Sequence, residues 1–127
     1  MIVPALRGGG YQWQLQVTVG TRPGGGRHVV DFVVEVEGGT ACLVSVKWQQ
    51  TSGTAEQKVP FEAICLAEAM RSAPDRYVRA YLVLGGDGWT LRTYYTEGGL
   101  DDHLKHCDSV KIVKLERFVA LANQRRL

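Results

Sequence analysis

The stretch HVVDFVVEVE at residues 28–37, followed by Gly38-Gly39 and TACLVSVKWQQ at residues 40–50, decides the fold. Side chains alternate across a strand, so one face of each segment can be read off directly. Val30, Phe32, Val34 and Val36 form an apolar even set in the first segment; Cys42, Val44, Val46 and Trp48 form one in the second. If the two strands pair as a hairpin, both apolar sets must reach one core. Even residues then lie opposite even residues, because a slip of one position would expose one set. A two-residue Gly38-Gly39 loop would pair Glu37 with Thr40 and break that parity. The pattern therefore predicts a three-residue loop or a β-bulge there, where glycine tolerates positive φ. In this register Trp48 belongs to the core, and Asp31, Glu35, Ser45, Lys47 and Gln49 share the opposite face.

Outward from this hairpin, residues 11–20 (YQWQLQVTVG) alternate like a further half-buried strand. Residues 21–27 (TRPGGGR) read as a loop, and residues 1–10, ending in three glycines, as an irregular lead-in. After a polar break at residues 50–54, residues 55–71 have helical character, with Phe61, Ile64, Cys65, Leu66 and Ala69 as the apolar face. Pro60 argues for a short turn from Ala55 and a main helix over residues 60–72. Residues 77–84 form an almost wholly apolar strand suited to a central, parallel position. Gly85-Gly86-Asp87-Gly88 is a turn; it matches neither a Walker loop nor a dinucleotide fingerprint. A weaker helical region over residues 91–106 is interrupted at Gly98-Gly99. A short strand at residues 110–113 and a closing helix at residues 115–123 complete the order. A three-strand meander followed by β-α-β crossovers implies an α/β domain with a mixed sheet flanked by helices, spanning residues 1–127 as one unit.

Composition narrows the class. A content of 45% hydrophobic and 22% charged residues is that of a globular domain, and 127 residues suffice to bury a core. No apolar run is long enough to cross a bilayer and no signal-peptide pattern opens the chain, so a cytoplasmic location in a bacterial, archaeal or phage-infected cell is expected. Cys42, Cys65 and Cys107 form no CxxC pair, which argues against a disulfide framework or zinc ribbon; Cys42 and Cys65 read as core residues. His103, His106 and Cys107 match no zinc spacing. A net charge of +2 leaves phosphate attraction to local patches, with Arg22, Arg27, Lys105, Lys111, Lys114, Arg117, Arg125 and Arg126 as candidates. Trp13, Trp89, Tyr94 and Tyr95 are the aromatics available either for packing or for stacking on bases.

A carboxylate, a lysine and an amide on one face of adjacent strands suit phosphodiester hydrolysis, with oxygen ligands for Mg²⁺ and an ammonium for developing negative charge. The residues Val30-Asp31, then Ser45-Val46-Lys47-Trp48-Gln49, then a helix containing Glu56 and Glu62, resemble the PD-(D/E)XK nuclease superfamily. Its motif is an Asp on one strand and an acidic-x-Lys tripeptide on the next. The later elements follow the same order, so the resemblance covers most of the chain. It implies a restriction-endonuclease-like fold and a metal-dependent DNA endonuclease of restriction, homing or repair type, using Mg²⁺, with Mn²⁺ as substitute. A Holliday-junction resolvase, or an inactive nucleic-acid-binding module of the same fold, are the alternatives. The resemblance implies Asp31 as metal ligand, Lys47 as catalytic lysine, the Val46 carbonyl as a further ligand, and Gln49 near the scissile phosphate. Val30 replaces the usual proline. Ser45 stands where the acidic residue is expected; some restriction-enzyme branches carry Ser-x-Lys and recover the carboxylate from the following helix. Glu62 would supply it here, with Glu56 the second candidate and Glu35 the third. DNA is the implied partner, and a homodimer or higher homo-oligomer the implied state.

Overall fold

A computed structural model describes residues 1–127. The order is α1 (Ile2–Gly8), β1 (Trp13–Thr21), β2 (Arg27–Glu35), β3 (Ala41–Trp48), α2 (Ala55–Ser72), β4 (Tyr77–Gly85), α3 (Arg92–Thr96), β5 (Val110–Lys114) and α4 (Leu115–Asn123). The five strands form one sheet in sequence order. β1–β2 and β2–β3 are antiparallel; β3–β4 and β4–β5 are parallel. Right-handed crossovers are the rule between parallel strands, and two in one direction put their helices on the same face. Accordingly Val59, Ala63, Leu66 and Met70 of α2 and Tyr95 of α3 join one core cluster. Ala5 and Leu6 of α1, with Leu115, Phe118 and Ala122 of α4, build the other.

The central hairpin keeps the expected parity. Phe32 lies opposite Val44 and Val34 opposite Cys42. The loop is the three residues Glu37-Gly38-Gly39, closed by Val36 N–H to the Thr40 carbonyl and Thr40 N–H to the Glu37 carbonyl, each 2.9 Å. Gly38 and Gly39 sit at φ 58° and 80°, where a Cβ would be strained. The expectation of a single apolar face per strand is corrected, because helices cover both sides of the sheet. Val33, Ala41 and Leu43 are as buried as their even neighbours and pack under α2. Parity also switches at one place. Val30 belongs to the α2 cluster, whereas Phe32 and Val34 belong to the other. On β1, Val17 and Trp13 divide in the same way. The switch lies at Gln16, which has φ 52°, and Asp31 across from it.

Several local expectations are also corrected. The supposed lead-in contains α1, which docks on α4; Gly9 lies so close to the Ala122 carbonyl that no Cβ would fit. Phe61 and Ile64 face solvent, since Val59, Ala63, Leu66, Ala67 and Met70 hold the inner stripe of α2. Trp48 is 54% exposed, lying across Gly85 at the rim of the sheet rather than within the core. Only residues 92–96 of the region after β4 are helical; Gly98, at φ 84°, ends the turn.

Pro60 neither starts nor breaks α2, which runs unbroken from Ala55 to Ser72. A proline in a helix leaves the carbonyl four residues earlier without its N–H. That carbonyl belongs to Glu56, and it accepts the Tyr95 hydroxyl at 2.8 Å. The Glu56 side chain completes the same junction, accepting the Thr90 and Leu91 N–H groups and the Thr90 hydroxyl. Gln49 is a second tie, donating to the Gly88 carbonyl and accepting the Ala55 N–H. Gly86 and Gly88 leave room for the Gln49–Thr51 backbone that passes against them.

Two outcomes follow. Tyr95→Phe should cost about 1–3 kcal/mol in chemical denaturation, the usual penalty for an orphaned buried polar group. In a Pro60→Ala background, where residue 60 regains its N–H, the same change should cost clearly less. The hydrogen bonds from Leu91 and Thr90 hold the Glu56 carboxyl below its ordinary 4.5. Its stabilising contribution is therefore full above pH 4.5 and disappears as pH falls through the lower folded value. Glu56→Gln should lower the melting temperature near neutrality, and the gap from the unaltered protein should close on acidification.

Candidate active site

The chemistry-bearing residues gather where β2 and β3 stop pairing. Beyond Phe32–Val44 the ladder ends. The Asp31 carboxylate instead accepts the Val46 N–H through Oδ2 at 2.7 Å, with Gln16 Nε2 at 3.4 Å from Oδ1. One residue earlier on β3, the Ser45 hydroxyl turns toward α2 and donates to Glu62 Oε2 at 2.6 Å. Asp31 and Glu62 are thus fastened to consecutive residues of β3, immediately before Lys47. A strand residue directs its N–H and C=O to the same edge, so the Val46 carbonyl shares the edge that Asp31 occupies.

Glu62 lies on the inner side of α2, its side chain 13% exposed. Burial works to raise its pKa, but hydrogen bonds from His28 and Ser45 and the charges of His28 and Lys47 outweigh it and hold the carboxyl below its ordinary value. Lys47 takes part in no salt bridge. Its ammonium is uncommitted, and its charge acts on Glu62. Burial and then the Glu62 charge push the Cys65 thiol up, while Arg22 and Lys47 oppose them. Arg22, in the β1–β2 connection, therefore acts on the same region as Lys47.

The other candidates stand elsewhere. Glu35 forms a two-pronged ion pair with Arg76, at 2.6 and 2.9 Å, beside the Glu37–Gly39 loop. That guanidinium holds the Glu35 carboxyl low. Glu56 is engaged with Thr90 and Leu91, both of its oxygens in use. Gln49 is buried, with both amide atoms committed to backbone. His28 is the residue sequence reasoning missed. It is fully covered, and its Nε2 lies 3.0 Å from Glu62 Oε2. The alternation put His28 on the buried face of β2, which was a signal; its partner on α2 could not be read from strand parity.

The donor set suits a hard divalent cation. Mg²⁺ takes one or two carboxylates and keeps several waters. Asp31 and Glu62 each commit one oxygen to β3, and neither has the other tightly held. The Ser45 hydroxyl is bonded to Glu62 and the Val46 backbone to Asp31. No group of three or more His, Cys, Asp or Glu side chains is placed to hold an ion on protein ligands alone, at His103, His106 and Cys107 included. All three cysteines are free thiols.

A family model described as a PD-(D/E)XK nuclease superfamily domain matches residues 2–126. Among solved structures, a crystal structure of a protein of unknown function is similar, with a TM-score of 0.53 at 13% identity; the match covers 90% of this chain and 54% of that one. The chain thus spans about half the length of that protein, and the likeness concerns the fold. No curated protein matches the chain. No helix is long and apolar enough to cross a membrane. With an open mixed sheet of five strands, helices on both faces and the family match over nearly its whole length, the chain belongs to the PD-(D/E)XK nuclease superfamily.

Proposed function

We propose that the chain is a metal-dependent DNA endonuclease whose site is Asp31, Glu62, Lys47 and the Val46 carbonyl. The observation that carries this reading is the attachment of two carboxylates, from β2 and α2, to the adjacent residues Val46 and Ser45 ahead of an unpaired lysine. Ser45 occupies the place of the strand acid and, by binding Glu62, brings a helix carboxylate to it. Glu56 is assigned to the fold, because its oxygens are already spent on the β4–α3 connection.

Asp31 and Glu62 would hold Mg²⁺, with Mn²⁺ as substitute. The chemistry such an ion supplies is neutralisation of phosphate charge and activation of water. The residues of the chain do the remaining work. Asp31 and Glu62 place negative charge where the ion must sit, and their ties to β3 fix that place relative to Lys47. The Lys47 ammonium stabilises charge that builds on the non-bridging oxygens as water attacks phosphorus and the phosphorus–oxygen ester bond breaks. Arg22, on the same side, contributes attraction for the phosphate backbone. Cleavage of both strands is assigned to two copies of the chain.

The test is cleavage of linear, supercoiled, single-stranded and branched DNA with Mg²⁺ or Mn²⁺. Asp31→Asn, Lys47→Ala and Glu62→Gln should each lower the rate by about a hundredfold or more, the scale of losing one transition-state contact, with melting temperatures close to that of the unaltered protein. Glu56→Gln should keep its rate per folded molecule while losing stability. Undiminished cleavage by Lys47→Ala would overturn the assignment. Preference for branched over linear duplex would move it to junction resolution.

A further inference from the structure

His28 has no place in the superfamily motif, yet it is the most deeply covered polar side chain near the site. Its side chain is 2% exposed. Nε2 meets Glu62 Oε2, while Nδ1 is buried with no hydrogen-bond partner. A carboxylate can only accept, so the contact to Glu62 requires the proton on Nε2. The contact therefore fixes the ring so that Nε2–H faces Glu62 and Nδ1 faces no partner.

The two donors that reach Glu62 are also notably one-sided. Ser45 and His28 both bond Oε2, and nothing in the protein bonds Oε1. Oε1 is nevertheless not buried, since His28 Nδ1 is the one buried side-chain polar atom lacking a partner. One carboxylate oxygen is therefore clamped from two strands, and the other is turned to solvent.

We infer that His28 is a positioning residue: with Ser45 it fixes Glu62 Oε2 so that Oε1 is presented as the ligand atom. This rests on the reading of Glu62 as a metal ligand. It explains how a site that lacks a strand acid can still set the direction of its second carboxylate. Serine alone would leave the carboxylate free to rotate about a single hydrogen bond. The imidazole supplies the second fixed point, from β2, on the strand that also carries Asp31.

The proposal is tested on the whole chain by two measurements other than cleavage. Nitrogen-15 spectra of the imidazoles, with His28 identified by its loss in His28→Gln, should show a proton on Nε2; an Nε2 without a proton overturns the proposal. Calorimetric titration with Mn²⁺ should show His28→Phe weakened by about ten- to a hundredfold, the usual effect of removing a partner that orients a ligand. His28→Gln, whose amide can donate from the place of Nε2, should recover most of that loss. In a Glu62→Gln background His28→Phe should add nothing further; a full additional loss overturns the proposal. Should His28→Phe fail to fold, His28→Asn, too short to reach Glu62, replaces it, and unaltered Mn²⁺ affinity there overturns the proposal. Loss of affinity in Glu62→Gln but not in the His28 variants overturns the His28 role alone. Unchanged affinity in Glu62→Gln overturns the metal reading together with it.

Discussion

The right-handed crossover from β3 to β4 is the constraint from which the site follows. Handedness lays α2 on the face of the sheet where Ser45 points, and so brings Glu62 within 2.6 Å of that hydroxyl. A left-handed connection would have placed the glutamate on the side of α1 and α4, away from the serine. The second crossover repeats the direction and adds α3 to the same face, where Tyr95 reaches the carbonyl freed by Pro60. The helix that carries the acid is thereby held at its start by α3 and near its middle by Ser45 and His28.

The second organising feature is the end of the β2–β3 ladder. Asp31 and Gln16 lie across from each other at a shared kink, and both strands change the face they bury there. A carboxylate that would sit on one face of a regular strand is turned into the seam between strands, where a backbone N–H receives it. Asp31 is thus a substitute for a ladder hydrogen bond. The positive φ of Gln16 and the turned carboxylate of Asp31 coincide at one cross-strand position.

How much of this was legible from residues alone varied with the range of the interaction. Alternation over β2 and β3 specified the even-to-even register and the three-residue loop, because a buried face punishes any slip. The strong amphipathic pattern of α4 gave its limits at Leu115 and Asn123. Asp31 and Lys47 were visible through the motif, and Glu62 through its distance from the lysine. Alternation could not reveal the change of face at Asp31, which depends on the cross-strand conformation of Gln16. Nor could it show α1, whose few apolar residues become a helix only by docking on α4. Phe61 and Ile64 misled because a run of apolar residues on a helix does not say which stripe meets the sheet. Gln49 was misassigned and His28 missed for the same reason: each is defined by a partner on another element, Gly88 and Ala55 for one, Glu62 for the other.

The displacement of an acid from β3 to α2 has a mechanical consequence. In the motif's usual form both carboxylates ride on adjacent strands, whose spacing is set by backbone hydrogen bonds. In the proposed site Asp31 rides on the sheet and Glu62 on the helical layer above it, and Val59, Ala63, Leu66 and the strand side chains beneath them set the spacing of those layers. The gap between the two ligands is then a gauge of interlayer thickness. A methyl group added or removed in that apolar filling would be registered as a shift of Glu62 relative to Asp31. In this chain the core under α2 and the proposed site share one dimension.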